Sequence, residues 1–118
     1  MINVKLSQAD EKKTLSLRLK GHAGQAEIGK DIVCASATIL AYTVAQVVRY
    51  MEDNNELTRK PTIKLNKGDI EVTCRCKTDK GYAEALHTYF VAQVGYSLLA
   101  HNYPQYVALK SLGEPVKA

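Results

Sequence analysis

Cys34 and His22 are the side chains of this sequence whose types and spacing point to covalent chemistry. They lie in the stretch GHAGQAEIGKDIVCA, residues 21–35. A cysteine with a histidine in hydrogen-bond reach is the minimum apparatus for nucleophilic attack on a carbonyl. Asp31 precedes a long apolar-periodic run and can serve as its N-cap. Cys34 then falls in the first helical turn, where unpaired N–H groups and the helix dipole favour negative charge and so the thiolate, the reactive form. The first-turn N–H groups, those of Cys34 and Ala35 included, would hold the resulting oxyanion. Gly21, Gly24 and Gly29 would let the intervening loop approach a peptide backbone closely or move when one binds.

The same residues have a structural reading, which spacing alone favours. Glycines permit tight turns, a histidine can cap a strand end, and Asp31 can simply cap its helix. Its charge would oppose thiolate formation unless its oxygens face the backbone N–H groups. His87 and His101 fall in or near a second helical run and read as surface or helix-end residues.

The elements that must position these groups follow from periodicity. INVKL (2–6) and LSLRL (15–19) alternate apolar and polar residues around a polar turn, predicting a hairpin. From about Ile32 to Tyr50, Val33, Ala37, Leu40, Val44, Val47 and Met51 recur at helical steps, and EDNNE ends the run. PTIKL and IEVTCRCK flank NKGD and predict a second hairpin. A second helix, about Tyr82 to Ala100, carries Ala83, Leu86, Phe90, Val94 and Leu98 on one face. Pro104 ends it, and QYVALK fits either an edge strand or an extended tail. The order ββαββα implies an α+β two-layer sandwich over one domain, residues 1–118. An antiparallel four-stranded sheet would carry both helices on one face, leaving the other for the tail or a second subunit to cover.

Composition narrows the function. No apolar run approaches the roughly 20 residues of a membrane span, and the N-terminus has no secretory h-region, so a cytoplasmic location is expected. Cys34, Cys74 and Cys76 are odd in number, which argues against a disulfide framework, and no zinc spacing is present. Cys74 and Cys76 read as small apolar fillers, and neither a metal nor an organic cofactor is expected. The formal net charge of +4 is mild. Without a basic run or an aromatic-interleaved stripe it reads as a solvated surface, so direct nucleic-acid binding is not expected.

GHAG followed by GKDIVCASAT, together with the length, the element order and HNYPQYV near the C-terminus, resembles the ribosomal-processing cysteine proteases, the Prp family. The resemblance covers nearly the whole chain. It implies a cysteine endopeptidase with His22 and Cys34 as the catalytic pair and a two-layer α+β fold, usually a homodimer. The implied substrate is a large-subunit ribosomal protein whose N-terminal extension, ending in apolar and aromatic residues, must be removed for ribosome assembly. Asp31 matches the family pattern, as a cap, a partner of His22, or both. Thr38 stands where many members carry serine, and ASAT replaces the commoner AAVS; a hydroxyl is retained one turn beyond Cys34. The competing readings are a non-catalytic ribosome-associated binding protein with a structural cysteine, and an interaction scaffold that dimerises through its open sheet face.

Overall fold

A computed structural model describes residues 1–21 and 28–113, the side chains of 28–31 excepted. Strand β1 (Ile2–Ala9) and β2 (Thr14–Lys20) are followed by helix α1 (Ile28–Asp53), β3 (Thr62–Asn66), β4 (Asp69–Arg75), α2 (Asp79–Asn102) and β5 (Val107–Lys110). The sheet has five strands in the order β3-β4-β2-β1-β5. β1 and β2 pair antiparallel around a short 3-10 turn closed by Lys13 in the left-handed region, φ 49°. β3 and β4 are joined through Lys67 and Gly68, where Gly68 takes φ 75°.

The expected sheet is corrected in one respect. Residues 107–110 form a fifth strand, β5, parallel to β1 with Ile2 opposite Val107 and Lys5 opposite Lys110. The sheet is therefore mixed rather than a four-stranded antiparallel one. A parallel neighbour requires a crossover, and α2 supplies it by running back across the sheet before the chain re-enters beside β1. The Ile2 N–H donates to the Tyr106 carbonyl at 2.7 Å and starts the pairing.

Alternation sets the layering. Val4, Leu19 and Ile70 stand in register and are buried, as are Leu6, Leu17 and Val72. Residues between them point to the opposite side. α1 covers the apolar face with Val33, Ala37, Ala41, Val44, Ala45, Val48 and Met51, all buried. Its far end closes with Asn55 at φ 60°, the Glu56 N–H on the Met51 carbonyl at 2.9 Å and the Asn55 N–H on that of Glu52 at 3.0 Å. This pair of bonds is the Schellman arrangement, which satisfies carbonyls the helix leaves unpaired. Residues Ile32–Asp53 are long and apolar enough to cross a membrane by length and composition, which counting uninterrupted apolar runs did not reveal. In this fold one face of that segment packs on the sheet, while Ile32, Ile39, Tyr42 and Tyr50 stay exposed.

α2 begins at Asp79, earlier than expected, because the Thr78 hydroxyl accepts the Gly81 N–H at 3.0 Å. Its buried face is Gly81, Ala85, Tyr89, Ala92 and Tyr96. The expected face is thus displaced: Phe90, Val94 and Leu98 are 48%, 45% and 59% exposed. Small residues let α2 approach closely, and the two tyrosines bury their rings because each hydroxyl finds a carbonyl. Tyr89 Oη donates to the Val72 carbonyl and Tyr96 Oη to the Ala37 carbonyl, both at 2.9 Å.

Replacing Tyr96 by Phe keeps the ring and removes one buried hydrogen bond. The expected loss is about 1 kcal/mol, or about 4 °C in Tm, read by thermal denaturation. No change in Tm would show that the bond to α1 contributes nothing net.

Candidate active site

Cys34 lies on α1 beside the buried Val33 and one turn before the buried Ala37, so it sits on the flank of the core-facing stripe, partly exposed. It opens onto a cleft of about 490 Å³ between the N-terminal half of α1 and the β3–β4 turn. Ala35 and Thr38 line the same cleft, followed by Ile39 and Tyr42 farther along the helix. Cys34, Thr38 and Tyr42 recur at four-residue steps, which puts them in one row along the helix. The opposite wall is Leu65, Asn66, Lys67, Gly68 and Asp69, and Ile2, Leu19 and Ile70 form an apolar floor.

Two bonds fix this geometry. The Tyr96–Ala37 hydrogen bond ties α1 to α2 one turn beyond Cys34. The Gly21 N–H donates to the Gly68 carbonyl at 3.0 Å, tying the end of β2 to the β3–β4 turn. Gly21 has φ 91°, and a Cβ there would overlap the Met1 carbonyl, so glycine is required on both counts. At the rim, Asp69 accepts from Lys20 at 2.7 Å and Lys64 at 2.8 Å. These bonds hold its pKa down at about 2, so the rim carries a fixed carboxylate at neutral pH.

Several expected roles are relocated. His22 and Gly24 lie outside the described residues. Gly29 is not a loop residue, since α1 already includes Ile28. Asp31 is likewise inside the helix rather than its N-cap. A carboxylate is favourable both as a cap and within the first turn, so residue type alone does not separate the two positions. Cys34 and Ala35 consequently fall in the second turn. Their N–H groups face the carbonyls four residues back and are not the free first-turn donors expected for an oxyanion.

Thr38 and Ala35 line the cleft together with Cys34, and Gly21 forms part of its wall. Sequence reasoning missed Tyr42 and the Lys67–Gly68 turn. The four-residue spacing from Cys34 was the available signal for Tyr42, while nothing local marks a turn 33 residues further along as the facing wall. Among the described residues no cluster of three His, Cys, Asp or Glu side chains could hold a metal.

Fold and cleft together define a small two-layer α+β domain that presents a helix-borne thiol to an open cleft. The family described as cysteine protease Prp matches residues 1–108, and the chain belongs to that family of peptidases. Its fold is shared with the ribosomal processing protease Prp of S. aureus, solved with a substrate peptide: 23% identity over 93% of this chain and 98% of that one, TM-score 0.68. The same protease with a covalently linked product peptide gives 23% identity over the same shares and a TM-score of 0.67. SMU.848 of Streptococcus mutans is 24% identical over 95% of this chain and 93% of that one, with a TM-score of 0.65. No curated protein matches this chain.

The other two cysteines face the core. Both are 2% exposed. Burial, with the neighbouring Cys76 adding to it, pushes the Cys74 thiol up to about 12, and burial likewise raises that of Cys76. Brief treatment of the folded protein with iodoacetamide at neutral pH is expected to modify Cys34 at least tenfold faster than Cys74 or Cys76. Peptide mapping by mass spectrometry reads the ratio, and equal rates for all three would remove the distinction.

Proposed function

We propose that this protein is a cytoplasmic cysteine endopeptidase that removes the N-terminal extension of a large-subunit ribosomal protein. The reading is carried by one observation: in a chain of the cysteine protease Prp family, Cys34 is partly exposed on the cleft while the other two cysteines are buried. His22 accepts the Cys34 thiol proton as Sγ attacks the scissile carbonyl. Collapse of the tetrahedral adduct breaks the C–N bond, with His22 returning the proton to the departing amine. Water then hydrolyses the thioester, giving the carboxylate product and free thiol. No metal or organic cofactor enters these steps.

The apolar lining by Ile39, Tyr42, Leu65 and Ile70 suits a substrate whose extension ends in apolar and aromatic residues. The S. aureus relative is described as a ribosomal processing protease with bound substrate peptide, which supports the same substrate class for this chain. Incubating the purified protein with the precursor ribosomal protein should yield a shortened product by mass spectrometry. Cys34→Ala and His22→Ala should each lower the rate by at least 10³-fold. Full processing by both variants would end the assignment. Tyr42→Ala should raise KM several-fold with kcat nearly kept, as loss of an apolar binding contact does.

The protein also acts as a homodimer in this proposal. Phe90, Val91, Val94 and Leu98 form an outward apolar stripe on α2, which a second copy would cover. Sedimentation should report a dimer at micromolar concentration and a monomer for Val94→Glu. A wild-type monomer, or a dimer unaffected by the substitution, would remove this interface.

A further inference from the structure

The open face of the sheet has a composition that no single segment of the sequence displays. Register places Lys110, Lys5, Arg18, Glu71 and Lys64 in one row across all five strands. Lys20, Asp69 and Arg75 stand on the same side by the strand alternation. Among the described strand residues, six Lys and Arg therefore stand on this face, against two Asp and Glu. Their difference, four positive charges, equals the formal net charge of the chain.

The arrangement is unfavourable to the isolated fold. Lys5 stands directly opposite Arg18 on one side and Lys110 on the other. Like charges at directly opposed positions destabilise a sheet. Arg18 reaches Glu71 at 3.4 Å, and Lys20 and Lys64 share Asp69, but among the described residues no carboxylate pairs with Lys5 or Lys110. A neighbouring row, Thr62, Thr73, Ser16 and Ser7, presents only hydroxyls. No aromatic or large apolar side chain occurs among the described strand residues of this face, so neither a stacked single strand nor an apolar protein partner fits it.

We infer that the open sheet face docks on double-helical RNA, with the Lys110–Lys5–Arg18 row on backbone phosphates and the adjoining hydroxyl row on ribose 2′-OH groups. A row of cations beside a row of hydroxyls matches the wide, shallow A-form minor groove, which is recognised by shape, phosphate and 2′-OH. The DNA major groove instead takes an inserted helix or ribbon. This inference is independent of the peptidase reading, because the Lys110–Lys5–Arg18 row lies on the side of the sheet away from α1 and Cys34, and only the Lys20–Asp69–Lys64 corner adjoins the cleft rim.

The test is fluorescence anisotropy of a labelled duplex RNA of about 20 base pairs, titrated with the full chain between 50 and 200 mM salt, where backbone binding falls steeply. Micromolar binding at low salt is expected. Lys5→Ser with Lys110→Ser should weaken it about tenfold at 100 mM salt and reduce the log–log salt slope by about two. Lys12→Ser with Lys80→Ser changes net charge equally, lies off the face, and should alter affinity less than twofold. The Lys5/Lys110 variant should also melt on the order of 2 °C higher, since opposed cations are removed, which separates lost binding from lost folding. Three outcomes would overturn the inference: no salt-dependent binding at 50 mM, equal weakening by both variant pairs, or equally tight binding of duplex DNA or polyglutamate.

Discussion

The seam of small residues along α1 governs the rest of the structure. Ala37, Ala41 and Ala45 are buried between Val33, Val44 and Val48, and together they set how deeply the helix rests on the sheet. Cys34 rides on that seam's flank, so its exposure is a consequence of helix depth. A larger residue in the seam would lift the helix, since cores at native density absorb extra volume only through strain or displacement. The distance from the thiol to the β3–β4 turn would change with it. The geometry of the Cys34 cleft is thus first a packing problem.

α2 holds the helix at that depth by a polar device. Gly95 faces Leu40 so closely that a Cβ would sit 2.8 Å from Leu40 Cδ1, which permits the two helices their near approach. Tyr89 and Tyr96 then reach the Val72 and Ala37 carbonyls, placing one hydrogen bond on the sheet and one on α1. Burying these rings desolvates both phenols and raises their pKa values well above the ordinary value, so both remain neutral donors throughout the physiological range. The tie between the layers is therefore insensitive to pH there.

Much of this was legible in the sequence. Period-two alternation located β1 through β4, and 3.6-residue periodicity located both helices, because each element buries one side. β5 was left undecided because four residues with Val107 and Leu109 inward give too short an alternation to separate a strand from a tail. The wrong face of α2 was chosen because apolar type was equated with burial. Tyr89 and Tyr96 go inside once their hydroxyls have partners, while Phe90, Val94 and Leu98 stay out. Of the cleft, the α1 side was readable from spacing around Cys34, but the facing turn depends on β4 pairing with β2 across a long intervening segment. The charged face was invisible for the same reason: its cations come from all five strands and never form a run.

Gly21 joins features that are distant in sequence. Its N–H is held by the β3–β4 turn, its missing side chain leaves room for the Met1 carbonyl, and Ile2 floors the cleft. The first residues of the described chain are thus masonry of the cleft itself. Polypeptide fused ahead of Met1 would emerge next to the cleft floor that Ile2 supplies. An affinity tag placed there would join the chain one residue before the cleft lining begins.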